Sequence, residues 1–185
     1  MRVAVFGGSF NPPHVGHVLA CALVMGKGEV DRLLVVPTYE HPFAKPLAPY
    51  DDRVAMCELA TAFMRGLEVS RVEADLGGES RTLRTLEHLA ATHADWQLRL
   101  VIGADILAET PKWFGFDAIA RLAPPLVLAR AGFDAPGAGP PLLPEVSSTE
   151  VRAAIARGAW SEVEERVPRA VVALIRARGL YDAPE

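Results

Sequence analysis

The sequence predicts an α/β fold: a doubly wound parallel sheet with helices on both faces and a small C-terminal helical segment over about 147–182, all within one domain spanning 1–185. Three observations lead there. Short apolar runs recur along the chain, bounded by glycine, proline or charge. Stretches of helical periodicity separate them, and that order calls for right-handed crossovers and parallel pairing. The segments of unusual composition follow the apolar runs, where sheets of this kind bind ligands.

The elements follow in order. Residues 3–6 are the first strand, and an apolar helix over 17–25 ends near Gly26 and Gly28. Residues 33–36 form a second strand, stopped by Pro37. The stretch 39–49 has three prolines, two of them flanking Lys45, and reads as a loop. Asp51 and Asp52 are expected to cap a helix through Ala62, with Val54, Ala55 and Leu59 as its apolar face. Residues 67–72 make a third, weaker strand. After Gly77 and Gly78, Ser80 or Thr82 starts a helix bearing Leu83, Leu86 and Leu89. Residues 98–102 are a further strand, followed by Gly103-Ala104-Asp105 and a short helix or turn. Residues 116–121 are helical, and 126–129 are the last central strand. The Pro- and Gly-rich stretch 131–144 is a surface loop. Ser147-Ser148-Thr149 precede a helix through Ala156, and 161–165 form a short helix. A terminal helix over 167–178 is capped by Gly179.

Composition narrows the function class. A net charge of −4 argues against a broad nucleic-acid-binding surface, which needs a basic excess. No apolar run approaches the roughly 18 residues that span a bilayer, and Gly7 to His17 interrupts any signal-peptide pattern. Cys21 and Cys57 lie in apolar helical patterns and read as buried, reduced thiols. The expectation is a cytoplasmic protein with no membrane or nucleic-acid partner.

The most informative stretch is Gly7-Gly8-Ser9-Phe10-Asn11-Pro12-Pro13-His14-Val15-Gly16-His17. It joins a strand to a helix, and a helix start offers unpaired N–H groups and partial positive charge to an anion. Two imidazoles three residues apart add donors. The spacing is neither a G-x-G-x-x-G nor a Walker loop, which argues against a redox enzyme holding NAD as cofactor. No third ligand is evident for a metal, so a phosphate is the better fit.

These residues resemble the signature of the nicotinate (nicotinamide) mononucleotide adenylyltransferases, within the H-x-G-H nucleotidylyltransferase superfamily. The core of that signature stands here as His14-Val15-Gly16-His17, and a second as Ser147-Ser148-Thr149-Glu150-Val151-Arg152. His41-Pro42-Phe43-Ala44-Lys45, residues 52–56, Gly103-Ala104-Asp105 and Lys112-Trp113 also fit, in the family's order. The resemblance implies a Rossmann-like fold and transfer of AMP from ATP to nicotinate mononucleotide, giving deamido-NAD and pyrophosphate. The rival acceptors are nicotinamide mononucleotide and, more distantly, phosphopantetheine. A nucleotide-binding regulator with a decayed site is disfavoured because both His14 and His17 are present.

The same resemblance assigns roles. His14, His17 and Arg152 contact the triphosphate, His17 in the transition state. Gly7, Gly8, Ser9, Phe10 and Gly16 form the cradle, with Ser148 and Thr149 at a second helix start. Asp105 accepts from a ribose of ATP. Asn11, Lys45, Thr82, Thr85 and Trp113 hold the mononucleotide, Trp113 by stacking on the pyridine. Arg53 is the alternative to Lys45 for the acceptor phosphate. Arg81 stands where the family has an aromatic, a departure that bears on nicotinate against nicotinamide. Mg²⁺ is expected to travel with ATP, with no protein ligands of its own. Cys21 is rejected as a nucleophile because it lies in an apolar helix.

Overall fold

The computed structural model describes residues 1–41, 46–107, 109–110, 113–130 and 143–182. Its strands are β1 (Arg2–Gly8), β2 (Arg32–Pro37), β3 (Leu67–Val69), β4 (Gln97–Gly103) and β5 (Pro125–Leu128). All pair in parallel, in the order β3-β2-β1-β4-β5. The chain winds outward from β1 to one edge, returns, and winds to the other. The strand order therefore switches between β1 and β4, and the crevice of the fold opens beyond Gly8 and Gly103.

Side-chain alternation makes both faces of the sheet apolar. Val3, Val5, Leu34, Val36, Leu98, Leu100 and Ile102 point to one face. There they meet α4 (Thr82–Thr92) through Leu86 and Leu89, and α6 (Phe116–Leu122) through Ile119. Ala4, Leu33, Val35 and Val101 point to the other face. There they meet α1 (Val15–Gly26) through Ala20, Cys21 and Val24, and α2 (Tyr50–Thr61) through Cys57. A third cluster lies outside α2. Met56 and Ala60 pack against α7 (Ser148–Ala156), α8 (Trp160–Arg166) and α9 (Arg169–Arg178), which contribute Val151, Ile155, Val163, Val171 and Ile175. Gly179 closes α9 in the left-handed conformation, and Leu180 N–H donates to Ile175 O at 3.1 Å. Among the described residues no helix is long and apolar enough to cross a membrane.

Several expectations need correction. The expected strand 67–72 ends at Val69, and Val72–Leu76 form a short helix, α3. The last strand is not central: β5 is the sheet edge beyond β4. Pro49, rather than an aspartate, occupies the cap position of α2. Asp51 and Asp52 fall in its first turn, where their charge suits the helix dipole. Helix α1 begins two residues earlier than expected, with His14 as its cap residue. The short helix after β4 is α5 (Ala104–Leu107). Lys45 and most of the 131–144 loop lie outside the described residues.

Candidate active site

The loop from β1 to α1 is shaped by its small and aromatic residues. Phe10 adopts a φ of 45°, and its ring is buried. That ring meets Phe6 edge-on at 5.5 Å and His17 at 4.9 Å, so its side chain is a floor under the imidazole. A Cβ on Gly16 would lie 3.0 Å from the His14 ring and 3.1 Å from Val146 Cγ1. Glycine there lets His14 fold back over the helix start while residue 146 packs behind it.

The two imidazoles lie against each other, centroids 3.8 Å apart. His14 N–H donates to His17 Nδ1 at 3.1 Å. With Nδ1 accepting, the neutral His17 ring carries its proton on Nε2, leaving a donor. Burial, then the Arg130 charge, lowers the His14 pKa to about 4. Burial, then His14 and Arg130, holds His17 well below the ordinary imidazole value. Both rings are uncharged at neutral pH. Among the described residues His14 Nδ1 is buried with no hydrogen-bond partner.

The C-terminal helices reach back to this loop. Ser147 and Glu150 cap α7 reciprocally: Glu150 N–H donates to Ser147 Oγ at 3.2 Å, and Ser147 N–H to Glu150 Oε2 at 2.9 Å. These bonds from Ser147 hold the Glu150 carboxyl below its usual range. Ser148 Oγ donates to Pro12 O at 2.9 Å, and the buried Arg152 donates Nη1 to Asn11 O at 2.9 Å. Thr149 is exposed. The second signature thus acts partly as a brace on the backbone of the first.

Arg130 lies just beyond β5, in the strand-end segment 129–132 that the sequence marks as facing the ligand crevice without giving this residue a role. It donates Nη1 to Asp105 Oδ2 at 2.7 Å and Nη2 to Val146 O at 3.1 Å. Its position after an apolar run, at a strand's carboxyl end, was the available signal. Asp105, expected to face a ribose, stands in the first turn of α5 paired with this guanidinium.

The acceptor side departs further from expectation. Arg53 is neither a surface charge nor an open phosphate ligand: it is 1% exposed. Its Nε donates to Ala48 O at 2.9 Å, and its Nη1 to Ser9 O at 3.0 Å and Thr38 O at 2.7 Å. Three carbonyls from separate segments converge on one cation. Asn11 is also 1% exposed. Its Oδ1 accepts from Ala48 N–H at 3.0 Å and from the Tyr181 hydroxyl at 2.9 Å, so the side chain faces inward rather than into an open acceptor pocket. Thr85 is buried, its hydroxyl 3.3 Å from Arg81 O and 3.4 Å from Glu73 Oε1. Glu73 also accepts from Tyr39 N–H at 3.0 Å and from the Ser80 hydroxyl. Burial pushes its carboxyl pKa up. Thr82 is partly exposed at the start of α4. Trp113 is partly buried, edge-on to Phe116 at 6.1 Å on the same side of the sheet. Arg81 pairs with Glu79 at 2.7 Å, its guanidinium 5.4 Å from the Phe114 ring centre.

Cys21 and Cys57 are buried and unpaired. Burial pushes the Cys21 thiol up to about 12, and Cys57 also upward, so neither supplies a thiolate.

Residues 5–154 match the family described as cytidylyltransferase-like. A protein of Anaeromyxobacter sp. (strain K), named "Probable nicotinate-nucleotide adenylyltransferase", is 46% identical over 97% of this chain and 96% of its own. A protein of Myxococcus xanthus (strain DK1622) with the same name is 43% identical over 98% of this chain and 95% of its own. Among solved structures, the Plasmodium falciparum nicotinic acid mononucleotide adenylyltransferase complexed with NaAD superposes with a TM-score of 0.85. It covers 99% of this chain and 98% of that one at 15% identity, a likeness of fold. With both histidine and serine–arginine signatures in place on this sheet, the chain belongs to the nicotinate-nucleotide adenylyltransferase family of cytidylyltransferase-like proteins.

Proposed function

We propose that this protein transfers AMP from ATP to nicotinate mononucleotide, forming deamido-NAD and pyrophosphate. The observation that carries the reading is the pair of uncharged imidazoles at the start of α1, with His17 held as an Nε2–H donor. The names of the relatives and the NaAD bound in the Plasmodium structure support the same acceptor.

The chemistry suits the residues. The acceptor's phosphate has a second pKa of about 6 and is largely dianionic at neutral pH. It attacks the α-phosphorus of ATP directly, and the bond to the β-phosphate oxygen breaks. No general base is required, and the histidines, with their low pKa values, are poor ones. They serve instead as oriented donors to phosphate oxygens as charge moves toward the leaving pyrophosphate. An approaching triphosphate favours their protonated forms and strengthens those bonds. The backbone of Gly7, Gly8 and Ser9 lines the cradle, and Arg130 and Arg152 add positive potential. Arg130 can exchange Asp105 for phosphate, which leaves Asp105 to accept from a ribose hydroxyl. Mg²⁺ arriving with ATP would supply further charge to the leaving group. Thr82 and Trp113 bound the pyridine, and Lys45 is assigned to the acceptor phosphate. The buried thiols suit a reducing compartment, and we assign the protein to the cytoplasm.

The test is pyrophosphate release from ATP and Mg²⁺ with each acceptor offered separately. Turnover with nicotinate mononucleotide, well above that with nicotinamide mononucleotide or phosphopantetheine, is expected. No turnover with either pyridine mononucleotide would remove the reading, and a preference for the nicotinamide form would remove only its specificity.

A further inference from the structure

The hydroxyl of Tyr181 donates to Asn11 Oδ1 at 2.9 Å, across 170 residues of sequence. Tyr181 follows the cap of α9 with a φ of 67°, left-handed backbone that a non-glycine residue rarely adopts. Its ring packs against the cluster formed by α7, α8 and α9. The far end of its bond is not an ordinary surface group. Asn11 lies three residues before His14, in the loop that carries the phosphate donors. The same Oδ1 accepts from Ala48 N–H at 3.0 Å, and Asn11 Nδ2 lies 3.4 Å from Pro46 O. Arg152 holds the Asn11 carbonyl from behind. One amide side chain thus ties the ATP-side loop to segment 46–49, which follows Lys45, the residue assigned to the acceptor phosphate, and the tyrosine fixes that amide from 170 residues away.

We propose that Tyr181 is a positioning residue for adenylyl transfer: through Asn11 it fixes the distance between the triphosphate loop and the acceptor segment. It touches neither substrate. The inference rests on the two-substrate reading above, because only a reaction between two bound ligands is sensitive to that spacing. Reacting atoms must be held close and aligned, and a misplacement of about 1 Å can lower the rate about 100-fold. The buried Asn11 hub controls a displacement of that kind through the bonds it makes to both segments.

The test removes one oxygen. Tyr181→Phe keeps the ring and its packing. The expected result is a kcat lowered about tenfold, short of that hundredfold limit. The KM for ATP should stay within twofold, and the melting temperature should fall by about 2–4 °C. A purely structural hydroxyl would lower the melting temperature and leave the kinetic constants of the folded protein unchanged. Kinetics are therefore measured at 15 °C on protein whose folded fraction is quantified by near-ultraviolet circular dichroism. A kcat within twofold of the unaltered protein, or a loss that matches the unfolded fraction, overturns the inference. If the unaltered protein releases no pyrophosphate, the functional reading and this inference fall together. If it turns over and the variant matches it, this inference falls alone.

Discussion

Helices α1 and α7 begin side by side, with Val146 packed behind Gly16 and Ser148 bonded to Pro12, yet their starts are opposite in chemistry. The start of α7 is closed by the chain's own carboxylate: Glu150 and Ser147 satisfy one another's N–H groups, and a negative charge sits on the positive end of the dipole. The first turn of α1 has no acidic residue, and its cap is a histidine whose N–H goes to a second, uncharged imidazole. With no carboxylate set against its dipole, the α1 start suits an anion better than the α7 start does. Both starts match their cap N–H internally and differ in charge: an uncharged imidazole accepts it at α1, a carboxylate at α7. The α7 helix, through Ser148 and Arg152, braces the loop that leads into α1.

Four changes test that division, from the largest expected effect downward. His17→Ala removes the oriented donor from the open start, and kcat should fall about 10²–10³-fold in steady-state assays. An unchanged kcat would take the imidazole out of the mechanism. Arg152→Ala removes a buried partner from the Asn11 carbonyl. Its unfolding free energy should drop by roughly 1–3 kcal/mol in urea titrations, with turnover reduced as the loop loosens. The third test is acidification. Both histidines have lowered pKa values in the folded state, so between about pH 6.5 and 4 the unfolded chain binds more protons. Their contribution is complete above pH 6.5 and is lost as pH falls. The urea midpoint should therefore decline between pH 7 and 5, and less so in a His14→Asn/His17→Asn protein. Equal slopes would contradict the uncharged assignment. The smallest change is Ser147→Ala at the closed start. It should cost about 1 kcal/mol, seen as a melting temperature about 2–4 °C lower. A large fall in kcat with that variant would mean that the α7 start belongs to the chemistry after all.

What could be read from the sequence follows the range of the interactions. The strands were legible because apolar side chains repeat locally, and α1, α4 and α7 because their periodicity spans whole turns. The helix Val72–Leu76 was not, since five residues are too few to separate a helix from the end of a strand. The edge position of β5 depends on pairing order, which no local pattern carries. In the site, His14 and His17 stood out because their interaction is local. The enclosed settings of Arg53, Asn11 and Arg130 were not legible because most of their hydrogen-bond partners lie 15 to 170 residues away, Ala48 at five residues from Arg53 being the exception. Arg53 illustrates the difficulty: a lone arginine in a polar helix start looks solvated, and only the convergence of three carbonyls shows that it is enclosed.

The brace has a consequence for synthesis. Residues 7–17 are made well before their side-chain partners Ser148, Arg152 and Tyr181, which lie 136, 141 and 170 residues downstream. Such contacts are the slowest kind to close, and they form only after most of the chain is made. A nascent chain can present the whole histidine motif, and much of the sheet, before it can have a finished site. Competence is acquired as a late event, when the final helices dock. Loss of α9 and Tyr181 would thus remove both part of the third core cluster and the bond that holds the Asn11 side chain.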